Sequence, residues 1–135
     1  MTLGDRVESD GRMSITTGYS SQLNIGSGAY FNDGAVISCL GKIDIGENTL
    51  FGPGVKIFDN NHRFSREEGV SRECTAGCIT VGRSCWIASD VVLLKGTDIG
   101  DNCVIGAGCV IRGKVPAGSL VTRSGEQTTR PIETR

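Results

Sequence analysis

Apolar residues recur at every sixth position through most of this chain, and few backbone conformations fit that period. The steps run Ile25, Phe31, Ile37. After a slip of two residues they run Ile45, Phe51, Ile57. After a long interruption they resume as Val81, Ile87, Leu93, Ile99, Ile105, Ile111. Glycine follows the anchor at positions 26, 46, 52, 82, 100 and 106. The residue four after an anchor is small or β-branched: Ala29, Ala35, Gly41, Thr49, Val55, Cys85, Val91, Thr97, Cys103, Cys109 or Val115. The exception is Asn61, which adjoins His62, the only histidine in the sequence.

A six-residue period matches neither the 3.6-residue α-helix nor the two-residue alternation of a plain strand. It matches a short extended piece plus a turn, repeated three times per coil. The anchor then points into a triangular prism. The glycine after it tolerates the backbone angles of the corner, and the small residue fits where interior space is tight. Coils of this kind stack about 4.8 Å apart as parallel sheet. Their flat faces invite self-association. A rigid repeat interrupted once, with one titratable base at the interruption, points to a scaffold that holds a catalytic loop.

Composition excludes several function classes. The chain has 135 residues, enough for one domain with a core, and a formal charge of −1 with no basic run. Nucleic acid and anionic membrane are poor partners for such a surface. No apolar stretch nears the roughly 20 residues needed to span a bilayer. The first residues, MTLGDRVESDGR, lack the apolar core of a signal peptide, so a cytoplasmic location is expected. Few aromatics and 20 glycines argue for a turn-dense β protein. Of the six cysteines, Cys85, Cys103 and Cys109 occupy the small-residue position and are expected in the core. Cys74 and Cys78 have a CxxxC spacing that is not a usual one for zinc, and no histidine pair accompanies them, so no metal is expected. A structural disulfide and a catalytic cysteine are minor readings. The second would want a base beside the thiol, and only His62 could supply it.

In chain order, residues 1–24 form an N-terminal part. About 1–12 is a polar cap, and Val7, Met13 and Tyr19, in phase with Ile25, suggest a weak first coil over 7–24. Residues 25–112 carry the coils. They are interrupted by a polar loop over 59–80, which as a coil would place Arg63, Gly69 and Thr75 at the anchors. Residues 113–135 form a polar, basic tail with a short closing strand and a flexible end.

The segments IGENTLFGPGV, VGRSCWIASDVVL and IGDNCVIGAGCVI, with the NNHRF stretch between the first two and VPAGS after the last, resemble the hexapeptide-repeat acetyltransferases. The resemblance covers about residues 25–119. Its order of motifs is similar to the branch with galactoside, xenobiotic and polysaccharide O-acetyltransferases. It implies an all-β fold, a single-stranded left-handed parallel β-helix. It also implies acetyl-CoA as co-substrate and a homotrimer with each active site between two subunits.

Moving an acetyl group from a thioester to a sugar hydroxyl requires a base for the hydroxyl proton, and imidazole suits that task. His62 is the candidate base; its bland alternative is an exposed loop histidine. Its second ring nitrogen wants a partner, with Asp59, Asn60 or a loop carbonyl available. Asp59 and Asn60 also count as acceptor-binding candidates. Developing negative charge wants a donor such as the backbone N–H of Ala88 or Ser89. The resemblance further implies that Asn32 contacts the acceptor, that Trp86 walls the site, and that Ala88, Ser89 and Ala107 line the pantetheine arm. The plain alternatives are a corner asparagine, subunit packing and ordinary coil corners. Arg112 and Lys114 flank Gly113, where the family has lysine, and are expected either at the cofactor phosphates or as solvated charges. Two departures stand out. No second acceptor-binding acid lies near Cys39 and Leu40, and SLVTRSGEQTTRPI replaces the family's closing Gly-x-Pro stretch. Other readings are an N-acetyltransferase of the same fold acting on an amino sugar or other small acceptor, and a non-catalytic β-helix scaffold. A carbonic anhydrase of this fold is disfavoured, because its zinc needs three histidines.

Overall fold

The computed structural model describes residues 1–124 and 126–132. Three parallel sheets form the sides of a prism. The first stacks Thr2–Leu3, Gln22–Ile25, Lys42–Ile45, Cys78–Val81, Asp98–Ile99 and Lys114–Val115. The second stacks Glu8–Asp10, Tyr30–Asn32, Leu50–Phe51, Trp86–Ile87, Val104–Ile105 and Ser119–Ser124, with Glu126–Pro131 added antiparallel at its end. The third stacks Met13–Thr17, Ala35–Cys39, Lys56–Phe58, Val92–Leu93 and Val110–Ile111. No described residue is helical.

The six-residue anchors form the interior as expected. Ile25, Ile45, Val81 and Ile99 lie in register on the first sheet. Phe31, Phe51, Ile87 and Ile105 do so on the second. Ile37, Ile57, Leu93 and Ile111 do so on the third. All are buried. Each such side chain contributes about 2 kcal/mol by leaving water. The Phe31 and Phe51 rings stack with centroids 4.5 Å apart and an interplanar angle of 3°. Cys39, Cys85, Cys103 and Cys109 are buried free thiols, so the core reading of the last three holds.

The corner glycines have a different job from the one expected. Left-handed backbone falls three residues after the anchor, at Asn48, Ser84, Asp90 and Asn102, with φ of 56, 55, 58 and 58°. The glycine directly after the anchor is instead forced by stacking. A Cβ on Gly46 would stand 2.5 Å from the Arg83 nitrogen, and one on Gly52 2.6 Å from the Ser89 nitrogen. The backbone of the next coil occupies the space a side chain would need.

The N-terminal phase also differs. The first coil spans Thr2–Thr17, and its anchor positions are Leu3, Ser9 and Ile15, paired with Ile25, Phe31 and Ile37. Val7 and Met13 occupy small-residue positions and pack partly against the core, while Tyr19 is fully exposed. The Gly18–Ser21 turn, closed by a Ser21 N–H bond to the Gly18 carbonyl, absorbs the change of phase. The polar stretch taken as a cap is therefore paired coil. At the other end, Val121 is buried and the chain returns as a strand through Pro131; the last three residues of the expected flexible end, 133–135, lie outside the described residues. The β-branched run on both strands favours this pairing, with the Thr122 and Thr128 hydroxyls 3.2 Å apart.

The corner from the third sheet to the first varies in length. Six residues separate the anchors Leu93 and Ile99, eight separate Ile37 and Ile45, and after Asp59 the corner carries an excursion of 17 residues, 60–76, before Gly77. The expected 59–80 loop is thus an antiparallel hairpin whose second strand ends early. Cys78–Val81 already belongs to the first sheet.

Candidate active site

The hairpin pairs Asn60–Ser65 with Gly69–Ala76. Its base is tied to the coils. The Gly77 N–H donates to the Asp59 carbonyl at 2.8 Å. The Asp59 carboxylate accepts the N–H groups of Leu40 and Gly41, each at 2.8 Å. Asn60 Nδ2 donates to Asp59 Oδ1 at 3.1 Å and reaches Ser38 Oγ at 3.1 Å. Asp59 is 0% exposed. Its expected places, at the acceptor or behind the imidazole, are corrected accordingly: both oxygens satisfy the corner of the preceding coil, where bare N–H groups would be costly. Burial, then the neighbouring Asp59 charge, pushes the Cys39 thiol up to about 11. Burial likewise raises Cys85 and Cys109.

His62 lies opposite Cys74 in the hairpin, and the register shifts between His62 and Phe64, since Phe64 pairs with Val70. The extra residues of the second strand bulge there, which brings the Ser71 carbonyl 3.0 Å from His62 Nδ1. A carbonyl only accepts, so Nδ1 carries the proton and Nε2 holds the free lone pair. Of the three orienting partners expected, the loop carbonyl is the one present. The Cys74 sulfur lies 3.6 Å from the same Nδ1, on the orienting side of the ring.

A cleft of about 520 Å³ opens beside the hairpin, lined by Asn60, Asn61, His62, Phe64, Leu94, Lys95 and Arg112. Lys95 Nζ donates to Thr75 Oγ1 at 3.0 Å, which ties the second hairpin strand to the coil below. Lys95, Phe64 and Leu94 were not among the residues expected from the sequence. The signal lay in the coil arithmetic: Lys95 and Arg112 occupy the same corner as Asp59 in successive coils.

The remaining expected residues lie elsewhere on the prism. Tyr30, Leu50, Trp86, Val104 and Leu120 form one outward column on the second sheet. Trp86 and Leu50 are 55% and 48% exposed, so the outward placement of the tryptophan is as expected. Asn32 Nδ2 donates to the Phe51 carbonyl at 2.9 Å, across to the next coil. Ala88, Ser89 and Ala107 sit at or beside the corner that follows this sheet. The Ala88 N–H donates to the Ile105 carbonyl at 3.0 Å and is unavailable as a donor to negative charge. Among the described residues, no backbone carbonyl takes the Ser89 N–H. Lys114 is exposed on the first sheet, opposite Asp98. One chain therefore groups Asn60, His62 and Arg112 at one corner, and Asn32, Trp86, Ser89 and Ala107 on the opposite face and its following corner.

Stacked coils with a single histidine-bearing excursion define a class, the β-helical proteins of six-residue repeats. The sequence profile described as Bacterial transferase hexapeptide (six repeats) matches residues 78–113. A galactoside O-acetyltransferase of Escherichia coli is 36% identical over 98 residues, which is 73% of this chain and 48% of that protein. A putative lipopolysaccharide biosynthesis O-acetyl transferase of the same organism is 30% identical over 99 residues, 67% and 50% of the two chains. A crystal structure of galactoside acetyltransferase in complex with coenzyme A superposes with a TM-score of 0.77 at 28% identity, covering 94% of this chain and 64% of that one. A hexapeptide-repeat acetyltransferase of Vibrio cholerae complexed with acetyl-coenzyme A superposes at 0.83 with 22% identity, covering 98% and 72%. The chain spans about half the length of these curated relatives. In sequence and fold it is similar to the hexapeptide-repeat acetyltransferases, and its stacked coils form a parallel β-helix like theirs.

Proposed function

We propose that the protein is an acetyl-CoA-dependent O-acetyltransferase that acetylates a sugar hydroxyl in polysaccharide or glycan synthesis, with His62 as the general base. The observation that carries this reading is the Ser71 carbonyl 3.0 Å from Nδ1. It holds the tautomer in which Nε2 is free to take the proton of an incoming hydroxyl. Bound acetyl-CoA supplies an acetyl thioester, the electrophile in this chemistry. The fit is reasonable on this chain's own residues. Trp86 and Leu50 offer an exposed apolar wall, small Ala107 and Ala88 leave room, and the Ser89 N–H is a backbone donor for developing negative charge.

We further propose a homotrimer. The His62 corner and the Trp86 face lie on opposite sides of one prism, so a neighbouring copy must bring its second face to the hairpin to complete a site. The exposed Leu50 and Trp86 side chains favour such a contact. Exposed Cys74 and Cys78 suit a reducing compartment, and the cytoplasm is the location we assign.

Thiol release from acetyl-CoA, measured against a panel of sugars, tests the reaction. Release should depend on acceptor and fall about a thousandfold in His62→Ala, with the circular dichroism unchanged. Full activity in that variant would remove His62 from its role. Light scattering tests the assembly; a monomer would overturn the shared site.

A further inference from the structure

We propose that the acceptor carries an anionic group, a phosphate or a carboxylate, and that Lys95 and Arg112 select it. The inference rests on His62 being the base. It starts from charge. The chain as a whole is slightly acidic, yet the cleft that holds His62 is lined by two cations and no carboxylate. Among the described residues, neither Lys95 nor Arg112 is in a salt bridge, whereas Lys42, Arg63 and Arg83 all pair with acids. Lys95 is half-buried and its ammonium is aimed by the bond to Thr75 Oγ1. That bond uses one of its three donors and neutralises nothing. Two unneutralised cations beside a neutral amide pair, Asn60 and Asn61, and an exposed ring, Phe64, offer an anion site, hydrogen bonds and a stacking surface within one cleft.

The phosphates of acetyl-CoA are a poorer occupant. A volume of about 520 Å³ corresponds to a span of roughly 10 Å. With the thioester at the imidazole, the whole pantetheine arm separates it from the phosphates, which then lie beyond this cleft. The cations beside His62 are within reach of the acceptor. A sugar that bears a phosphate or a uronic carboxylate meets all three features at once.

The test uses the full chain with glucose, glucose 1-phosphate and glucuronate as probes, in calorimetric binding and in acetyl transfer. Both anionic probes are expected to bind about tenfold or more tighter than glucose, a preference that weakens with salt. Lys95→Met and Arg112→Met should each raise the anionic acceptor's KM about fivefold or more, with the KM for acetyl-CoA unchanged. Thr75→Val removes the hydrogen bond but keeps the ammonium, so it should retain the preference. Equal binding of the three probes overturns the proposal. So does a Thr75→Val variant that loses as much as Lys95→Met, because Lys95 would then only brace the hairpin. A rise in the acetyl-CoA KM instead of the acceptor KM assigns the cations to the cofactor and overturns it as well. Binding is read without turnover, so preferential anion binding without acetyl transfer would fail the enzymatic reading and leave the anion site standing.

Discussion

The coils and the hairpin obey different rules. From the second coil onward every anchor is buried, and hydrogen bonds run to the neighbouring coil above and below. In the hairpin, Phe64 and Val70 face each other across the strands at 81% and 75% exposure. The hairpin has no core of its own. It is held by its ladder, by Asp59 and Asn60 at its base, and by the Lys95–Thr75 bond. The rigid part holds the core, and the part with the proposed base has little packing. Function here hangs on a few polar ties that fix a weakly packed element to a stiff one.

The largest expected effect breaks the stiff part. Phe51→Ala removes a fully buried, stacked ring and should cost about 3–5 kcal/mol in denaturant unfolding. Phe64→Ala, the same truncation in the hairpin, should cost less than about 0.5 kcal/mol. Comparable losses at both sites would erase the contrast.

The next effect falls on the junction. Asp59→Asn leaves an acceptor for only one of the Leu40 and Gly41 N–H groups and turns an amide toward the other. A loss of about 2–3 kcal/mol is expected. An unchanged unfolding midpoint would mean that the carboxylate does not hold this corner.

The pH dependence of the coils comes next. Cys39 ionises at an ordinary 9.0 when unfolded but at about 11 in the fold. The unfolded chain therefore loses this proton first, and stability is fully present below pH 9 and falls as pH rises toward 11. The loss from this thiol is about 2 kcal/mol, with Cys85 and Cys109 acting in the same direction. Cys39→Ala should flatten that fall in a pH series of unfolding curves. A fall of the same size in the variant would assign the effect to other groups.

The smallest stability effect should follow the largest deletion. Replacing residues 61–75 by a glycine linker removes only exposed strands and the Lys95 tie, so the melting temperature should move by about 3 °C or less. Acetyl transfer should vanish. A collapse of the coils would show that the hairpin supports the prism.

This division also explains what the sequence made legible. Six-residue anchors are a packing code, because every coil repeats the same environment, and they located most of the core; Leu23, Ile43 and Ile79, buried two residues before the first-sheet anchors Ile25, Ile45 and Val81, lay outside the pattern. The first coil was misphased because Ser9 stands at an anchor and its neighbours are polar, so edge exposure hid the pattern. The role of Gly46 and Gly52 was misread because close approach between coils, rather than φ, dictates glycine there. In the hairpin no period exists. His62 stood out as the lone histidine at the interruption of the repeat and within the NNHRF stretch, but neither the register shift that delivers the Ser71 carbonyl nor the inward turn of Asp59 has a local signature. Lys95 was missed because its partner Thr75 stands 20 residues earlier in the chain, and only the stacking of the coils brings the two together.

In the proposed assembly two chains complete one site. The most direct test mixes two folded, inactive variants, His62→Ala and Ser89→Trp, after denaturation and refolding together, and measures acetyl transfer with an acceptor the wild type uses. Random mixing pairs an intact hairpin corner with an intact second face at about a quarter of the interfaces, so activity near that fraction of wild type is expected. An inactive mixture, with mixed oligomers present, would contradict a site shared between subunits.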